Sequence, residues 1–132
     1  MITGFSIQTR TRSTSDFNLA ATQPNQGQQH PTAATLNNPT KVTSDQQGGL
    51  YVADRSNNRI LYYPPLTGRG KSGLSAVRVY GQKDYTTNDA STTASTFNGP
   101  GAVAVDKAGD IFVLDIFNQR ILKFVAESQH CH

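Results

Sequence analysis

An internal repeat is the feature that most constrains how this chain of 132 residues can fold. Residues 36–63 align with residues 97–124 at a constant offset of 61, with no gap and with 11 identities over 28 positions. A repeat of this kind indicates two copies of one supersecondary unit, and such units bury their apolar faces by stacking on each other. The sequence therefore predicts two similar units rather than one irregular small domain.

Each unit shows the period-two pattern of short β-strands separated by turn residues. Gly48 and Gly49 mark a tight turn, and Pro64 and Pro65 end a strand because proline lacks the backbone N–H that a sheet needs. In the first unit, we expect strands at residues 41–45, 50–54, 59–63 and 76–80. The first unit is therefore predicted to be a four-stranded antiparallel meander, and the second unit repeats its first three strands.

The N-terminal residues add a strand that belongs to a different position of the unit. Phe5 and Ile7 alternate with polar neighbours, and Gln8–Arg12 corresponds to Ala76–Tyr80 when the first connector is taken as seven residues longer. The N-terminal strand is thus the equivalent of a fourth strand. The predicted strand order along the chain is 4-1-2-3-4-1-2-3.

Several segments of both units look like an NHL repeat. They are residues 51–60 in the first unit and residues 98–106, 109–115 and 118–124 in the second. The resemblance covers residues 36–63 and 76–124, and more weakly residues 5–20. Residues 80–85 resemble the connector between blades in bacterial proteins of this family, although Lys83 stands where that connector usually has proline.

The resemblance implies an all-β fold made of β-propeller blades. Propellers close with about 4–8 blades, so this chain would supply two four-stranded antiparallel meander blades of a β-propeller, incomplete as a single chain. The expected organisation is an N-terminal strand (1–12), a long connector loop (13–38), NHL blade 1 (39–80), a connector (81–99), NHL blade 2 with three strands (100–125) and a tail (126–132). The chain would then be part of a longer protein, which we favour, or one member of a homo-oligomer that completes the ring.

Composition excludes several classes of protein. Charged residues make up 16% of the chain and the net charge is +3, from cations that are scattered and do not favour nucleic acid as a partner. No apolar run approaches the roughly 20 residues of a membrane span, and no signal peptide is visible. Cys131 is the single cysteine, so no internal disulfide can form. Localisation stays unknown, with an extracellular or periplasmic site open if the chain is a fragment of a longer protein.

The repeated charged residues are predicted to be structural. An Asp that recurs at the same strand end in both units fits a turn cap, because a single active site would not repeat. The spacing of five residues between an Asp and an Arg brings the two together across a hairpin, where the planar guanidinium can engage the carboxylate. These turn and repeat residues are Asp45, Asp54, Arg59, Asp106, Asp115 and Arg120.

We predict no catalytic, cofactor-binding or metal-binding residue, and no cofactor. His130, Cys131 and His132 are good metal ligands by type, but three adjacent residues cannot close a tetrahedral site unaided. The residues favour a non-catalytic protein over an enzyme without deciding between them.

The loops at one end of the meander form the expected partner-binding surface. The second-to-third-strand turns and the connectors lie on the same side of such a sheet. Ile116 and Phe117 replace Arg55 and Ser56 of the first unit, so this apolar pair either contacts a partner or packs on the neighbouring blade. The predicted partner-binding residues are Arg55, Ser56, Thr86, Asn88, Ile116 and Phe117.

The expected function is a non-catalytic NHL-type β-propeller binding or scaffold module, or a fragment of one, that engages a protein, peptide or glycan through this loop face. Two alternatives remain. One is a propeller enzyme of the lyase or lactonase type with an axial metal, and the other is an RNA-binding NHL module. We expect no membrane insertion.

Overall fold

A computed structural model describes residues 23–65 and 75–126, and these residues form two antiparallel β-sheets. The first sheet has the order β1 (Pro39–Ser44), β2 (Leu50–Asp54), β3 (Arg59–Tyr63) and β4 (Arg78–Tyr80). The second has the order β5 (Pro100–Val105), β6 (Ile111–Asp115) and β7 (Arg120–Phe124). The predicted all-β class with antiparallel meanders is confirmed. The N-terminal strand predicted at residues 1–12 and residues 127–132 of the tail lie outside the described residues.

Short 3-10 turns complete the described part of the chain. They cover Pro24–Gly27, Arg55–Asn57 and Ile116–Asn118. No helix within residues 23–65 and 75–126 has the length and apolar character needed to cross a membrane.

The two sheets share their local irregularities as well as their strand order. The β1–β2 register shifts between Pro39 and Lys41, and the β5–β6 register shifts between Pro100 and Ala102. Proline has no backbone N–H to donate to the neighbouring strand. The register can therefore shift next to proline without the loss of a donated hydrogen bond. The same residue type at the same position thus produces the same bulge in both units.

Strand alternation gives each sheet two faces, which we call face A and face B. Face A of the first sheet carries Tyr51, Ala53, Ile60 and Tyr62, and face A of the second carries their equivalents Phe112, Leu114, Ile121 and Lys123. Face B of the first sheet carries Val42, Leu50, Val52, Leu61 and Tyr63, and face B of the second carries their equivalents Val103, Ile111, Val113, Leu122 and Phe124.

The main core lies between face A of the first sheet and face B of the second. Ile60 and Val113 are fully buried in one cluster with Phe97, which precedes β5. The Phe124 ring meets the Tyr80 ring edge-on at 5.5 Å and the Phe97 ring at 5.7 Å, which are favourable separations for aromatic pairs. The two units therefore stack face to face in this core, while a second cluster of Val52, Leu61, Tyr63 and Ala76 is buried on face B of the first sheet without residues of the second sheet.

Two strand boundaries differ from the prediction. β1 begins at Pro39 and ends at Ser44, and β4 begins at Arg78 rather than residue 76. The Ala76 N–H donates to the Ala33 carbonyl of the long connector at 2.8 Å, and the bonds to the sheet begin at Val77, whose N–H donates to the Tyr62 carbonyl of β3 at 2.8 Å.

Candidate functional site

The two equivalent turns at one end of the sheets form the base of the candidate site. The β2–β3 turn donates its Ser56 N–H to the Asn37 carbonyl at 3.0 Å, and the β6–β7 turn donates its Phe117 N–H to the Asn98 carbonyl at 3.1 Å. Each turn is thus bonded to the residue two positions before the first strand of its own sheet. The structure brings the turns and the ends of the connectors together, which defines the loop face.

An Asp–Arg pair supports each turn from below. Arg59 Nε lies 2.7 Å from Asp54 Oδ2, and both side chains are fully buried. Arg120 Nε lies 2.8 Å from Asp115 Oδ2, and the Arg120 side chain is 26% exposed. The contacts lie where the five-residue spacing places them.

These arginines also bind the connectors. Arg59 donates to the carbonyls of Thr32, Thr35 and Tyr85 at 2.8–2.9 Å. Arg120 donates to the carbonyls of three connector residues at 2.6–3.0 Å, namely Thr92, Thr93 and Thr96. Because the donors of each guanidinium are used in this way, the two arginines position the loops.

The Asp54 carboxyl does not cap its own turn as the sequence suggested. It accepts the backbone N–H of Asn37 at 2.7 Å and the side-chain amide of Asn57 at 2.8 Å. The turn closes on itself instead, through a 3.0 Å bond from Asn58 N–H to the Arg55 carbonyl. Burial raises the pKa of Asp54, and the Arg59 guanidinium and the Asn37 N–H act in the opposite direction.

Asp115 likewise accepts the Asn98 N–H at 2.7 Å and does not cap its turn, whereas Asp45 and Asp106 cap turns at the opposite end of the sheets. Asp45 Oδ1 accepts the N–H groups of Gln47 and Gly49 at 2.9 and 2.8 Å. Asp106 Oδ1 accepts those of Ala108 and Asp110, both at 3.0 Å. Local bonds of this type hold a two-strand turn in one conformation.

Four of the predicted partner-binding residues lie together on the loop face. The Arg55 guanidinium carbon lies 5.2 Å from the centre of the Phe117 ring, within the range of a cation–π contact. Phe117 is 58% exposed and Ile116 is 36% exposed, and Ser56 is also exposed. We call these four residues the turn patch, which joins the first unit to the second.

Two glycines lie directly beneath the turn patch. A Cβ added at Gly99 would overlap the Phe117 ring, and one added at Gly101 would overlap the end of the Ile116 side chain. Gly99 also has a φ of +68°, a conformation that other residues adopt at a cost. The glycines let the ring and the aliphatic chain lie flat on the backbone of the β5 entrance.

The remaining two predicted residues have different surroundings. Thr86 donates both its N–H and its hydroxyl to Asp84 Oδ1, at 3.0 and 3.1 Å. The Asn88 carbonyl accepts the Asn58 side-chain amide at 2.9 Å. Among residues 23–65 and 75–126, no hydrogen bond or ring contact joins Thr86 or Asn88 to the turn patch.

A buried amide cluster beside the first turn is a feature that the sequence reading missed. Asn25 Oδ1 accepts the Asn57 side-chain amide at 2.8 Å and the Thr35 hydroxyl at 3.3 Å. Asn25 lies in a 3-10 turn with φ of 51°, and it is buried. The available signal was the turn-forming composition of Pro24–Gly27 inside a polar connector.

The described residues hold no group of three or more His, Cys, Asp or Glu side chains that could bind a metal ion. His130, Cys131 and His132 lie outside that part of the chain.

The comparisons with known proteins bear on the first unit. Residues 36–63 match the family model described as NHL repeat. No curated protein matches the chain. The matched residues run from just before β1 to the end of β3.

Proposed function

We propose that this chain, which carries an NHL repeat at residues 36–63 and has the fold of a propeller-type module, is a non-catalytic module that binds peptide segments of a protein partner through the turn patch. The partner's segment would lie across the β2–β3 and β6–β7 turns and contact both units at once.

The observation that carries the proposal is the exposed Phe117 ring under the Arg55 guanidinium. The scaffold beneath it is repeated, but the patch is not, because Arg55 and Ser56 align with Ile116 and Phe117. The two turns thus share a backbone conformation and differ in their exposed side chains. Such a difference favours a role in binding a specific ligand. Arg and aromatic residues are also the types that most often dominate the energy of protein interfaces.

The chemistry of the turn patch indicates the type of ligand. Phe117 and Ile116 offer an apolar surface, and Arg55 offers a positive charge that forms no salt bridge with the carboxylates of the described residues. A peptide that presents an apolar side chain next to an Asp or Glu complements both. Displacing water from the ring and pairing the guanidinium would together favour binding.

Rigid presentation supports the same proposal. The Ser56 and Phe117 N–H groups are tied to Asn37 and Asn98, and the arginines below hold the connectors. A surface whose backbone is already ordered loses little conformational entropy when a ligand binds. The patch can therefore bind a flexible peptide without first folding itself.

A phage-displayed random peptide library, selected on the immobilised 132-residue chain, tests this proposal. We expect the enriched peptides to share an apolar residue adjacent to an acidic one. The affinity of a fluorescein-labelled peptide from this set is then measured by fluorescence anisotropy. The critical variant is Ile116→Arg combined with Phe117→Ser, which gives the second 3-10 turn the Arg-Ser-Asn sequence of the first.

The variant should abolish binding while the sheets stay folded, since the first unit already accepts these residues at the same positions. Val77→Ser is the matched control, because Val77 is exposed to a similar degree (54%) and lies outside the turn patch. Peptide binding that survives the double substitution would contradict the proposal, as would a selection that enriches no sequence.

Two further probes separate the alternative ligands. Binding of single-stranded RNA that weakens steeply with salt would favour a nucleic-acid module, and selective binding on a glycan array would favour a carbohydrate ligand. Either result, obtained without any peptide binding, would replace the proposal.

A further inference from the structure

Each sheet leaves part of one face exposed, and the two exposed areas are on faces of opposite type. On face A of the second sheet, Ile121 is 67% exposed and Leu114 is 42% exposed. On face B of the first sheet, Val42 is 54% exposed, whereas Val52, Leu61 and Tyr63 are buried in a cluster with Ala76. The chain thus exposes part of one face of each type.

The same two types of face form the buried contact inside the chain. Face A of the first sheet and face B of the second pack into one cluster, in which Ala53, Ile60 and Val113 are fully buried. Ile121 is the repeat equivalent of Ile60, and Val42 is the equivalent of Val103, which is 2% exposed. The exposed residues Ile121 and Val42 are therefore the equivalents of residues that are buried in the contact between the two sheets.

An open groove lies at the exposed part of face B, beside Val42. It is largely apolar, has a volume of about 510 Å³, and is lined by Val42, Leu50, Val52 and Tyr63 among others. The equivalents of these four residues in the second sheet receive face A of the first sheet. On face A of the second sheet, Phe112 stands where the first has Tyr51, and Leu114 stands where it has the smaller Ala53.

A hydrogen bond at the edge of the internal contact also has a counterpart. Gly99 donates its N–H to the Asn58 side-chain carbonyl at 2.7 Å, across the two sheets. The equivalent residues, Asn38 and Gln119, are both exposed. Asn38 has φ of 58° and Gln119 has φ of 56°, close to the values of 68° and 54° at Gly99 and Asn58. The Gln119 side-chain amide and the Asn38 N–H therefore have the backbone conformations of Asn58 and Gly99, and both residues are exposed.

From these observations we propose that face A of the second sheet is a docking surface for face B of the first sheet in another copy of this chain. The contact repeats the internal one, with Ile121 in the place of Ile60 and Val42 in the place of Val103. It joins two different faces, so it is heterologous, and copies add head to tail into a ring or an open series. This inference does not rest on the peptide-binding proposal.

Sedimentation velocity of the purified 132-residue chain tests the docking with two single substitutions. Ile121→Asp places a charge on face A, and Val42→Asp places one on face B. Both side chains are more than half exposed within one chain, so neither substitution buries a charge in the single chain. Leu114→Asp is a second face A variant, and circular dichroism checks that each variant is folded.

The wild-type chain should sediment as multiples of 14.3 kDa, and each variant alone should be a single chain. An equimolar mixture of the two variants should form a dimer and nothing larger, because one partner keeps an intact face A and the other an intact face B. Val77→Asp, which alters an exposed valine outside both apolar clusters, should associate like the wild type.

Three results would each overturn the proposal. They are a wild-type chain that stays single at high concentration, a variant that still associates with itself as the wild type does, and a mixture that forms no dimer. The second result would indicate a contact between like faces, and the first would indicate that another molecule covers them.

Discussion

The two repeat units have the same strand order and register, but equivalent side chains differ in how far they are buried. Ile60 is fully buried and its equivalent Ile121 is 67% exposed, although both occupy the same position in the third strand. Arg59 is fully buried, whereas Arg120 is 26% exposed. The position in the repeat determines which contacts a side chain can make, and the segments packed against it determine whether that side chain is buried. Stability in such a chain therefore depends on stacking more than on the sequence of a unit.

The largest expected difference concerns the two arginines. Arg59→Met leaves the Asp54 carboxylate buried without its partner and releases the connector carbonyls, so we expect a loss of about 3–5 kcal/mol in the free energy of unfolding. Arg120→Met should cost less, because the Arg120 side chain is 26% exposed and its ion pair with buried Asp115 is therefore closer to water than the fully buried pair of the first unit. Urea unfolding followed by circular dichroism measures both. Equal losses of unfolding free energy at the two positions would contradict the conclusion that burial makes the first Asp–Arg pair more important for stability than the second.

The next difference concerns the equivalent isoleucines. Ile60→Ala removes a fully buried side chain from the core between the sheets and should cost about 2–5 kcal/mol. Ile121→Ala should change the unfolding free energy of the single chain by less than about 0.5 kcal/mol. Urea titrations at a protein concentration that keeps the chains separate test this pair. A large effect of Ile121→Ala in that regime would show that its face is already covered within one chain.

A coupled pair of positions differs between the units. A Cβ at Gly49 would overlap the Tyr62 hydroxyl, which donates to Asp45 at 2.9 Å. The second unit has Asp110 and Lys123 at these positions, with Nζ to Oδ2 at 3.6 Å.

A double-mutant cycle of Gly49→Asp and Tyr62→Lys should therefore show favourable coupling, of about 0.5–3 kcal/mol. Unfolding free energies of the four proteins provide the value. Additive effects would mean that the two residues do not compensate each other.

The smallest expected difference is in the response to alkali. Burial raises the pKa of Tyr63 from 10.0 to about 12, and the second unit has Phe124 at the equivalent position. The phenol of the unfolded chain ionises near pH 10 while that of the folded chain stays neutral, so its contribution is complete below pH 10 and is lost as the pH rises toward 12.

Tyr63→Phe, which copies the second unit, should flatten the decline in stability above pH 10 by up to about 1.4 kcal/mol per pH unit. Urea midpoints on either side of pH 10 measure the slope. An unchanged slope would assign the alkaline loss to other groups.

Much of the fold could be predicted from local sequence. The bounds of β2 and β3 follow from alternation and from the turn residues that flank them, and the Asp–Arg contacts follow from a five-residue spacing across a hairpin. These features depend on residues close together in the chain. The start of β4 was placed too early, because the Ala76 N–H bonds to Ala33 in a distant connector, which no local pattern reveals.

The candidate site was predictable only in part. The exposure of Ile116 and Phe117 fits their position at a turn, but the approach of Arg55 to the Phe117 ring depends on how the two sheets stack. Thr86 and Asn88 lie in a connector whose polar composition suggested an adaptable binding loop. In the structure their polar groups bond to Asp84 and to Asn58, and the connector is held by Arg59 and Arg120. Their role in binding a partner remains a prediction.

The stacking of face A of the first sheet on face B of the second determines which side chains of each unit are buried. A nuclear Overhauser spectrum of the chain, with only tyrosine and phenylalanine protonated in a deuterated background, tests it directly. Tyr80 belongs to the first sheet and Phe124 to the second, and their ring centres lie 5.5 Å apart. We expect a cross-peak between these two rings that disappears in Tyr80→Leu. A folded chain with no cross-peak between the Tyr80 and Phe124 rings would contradict this stacking.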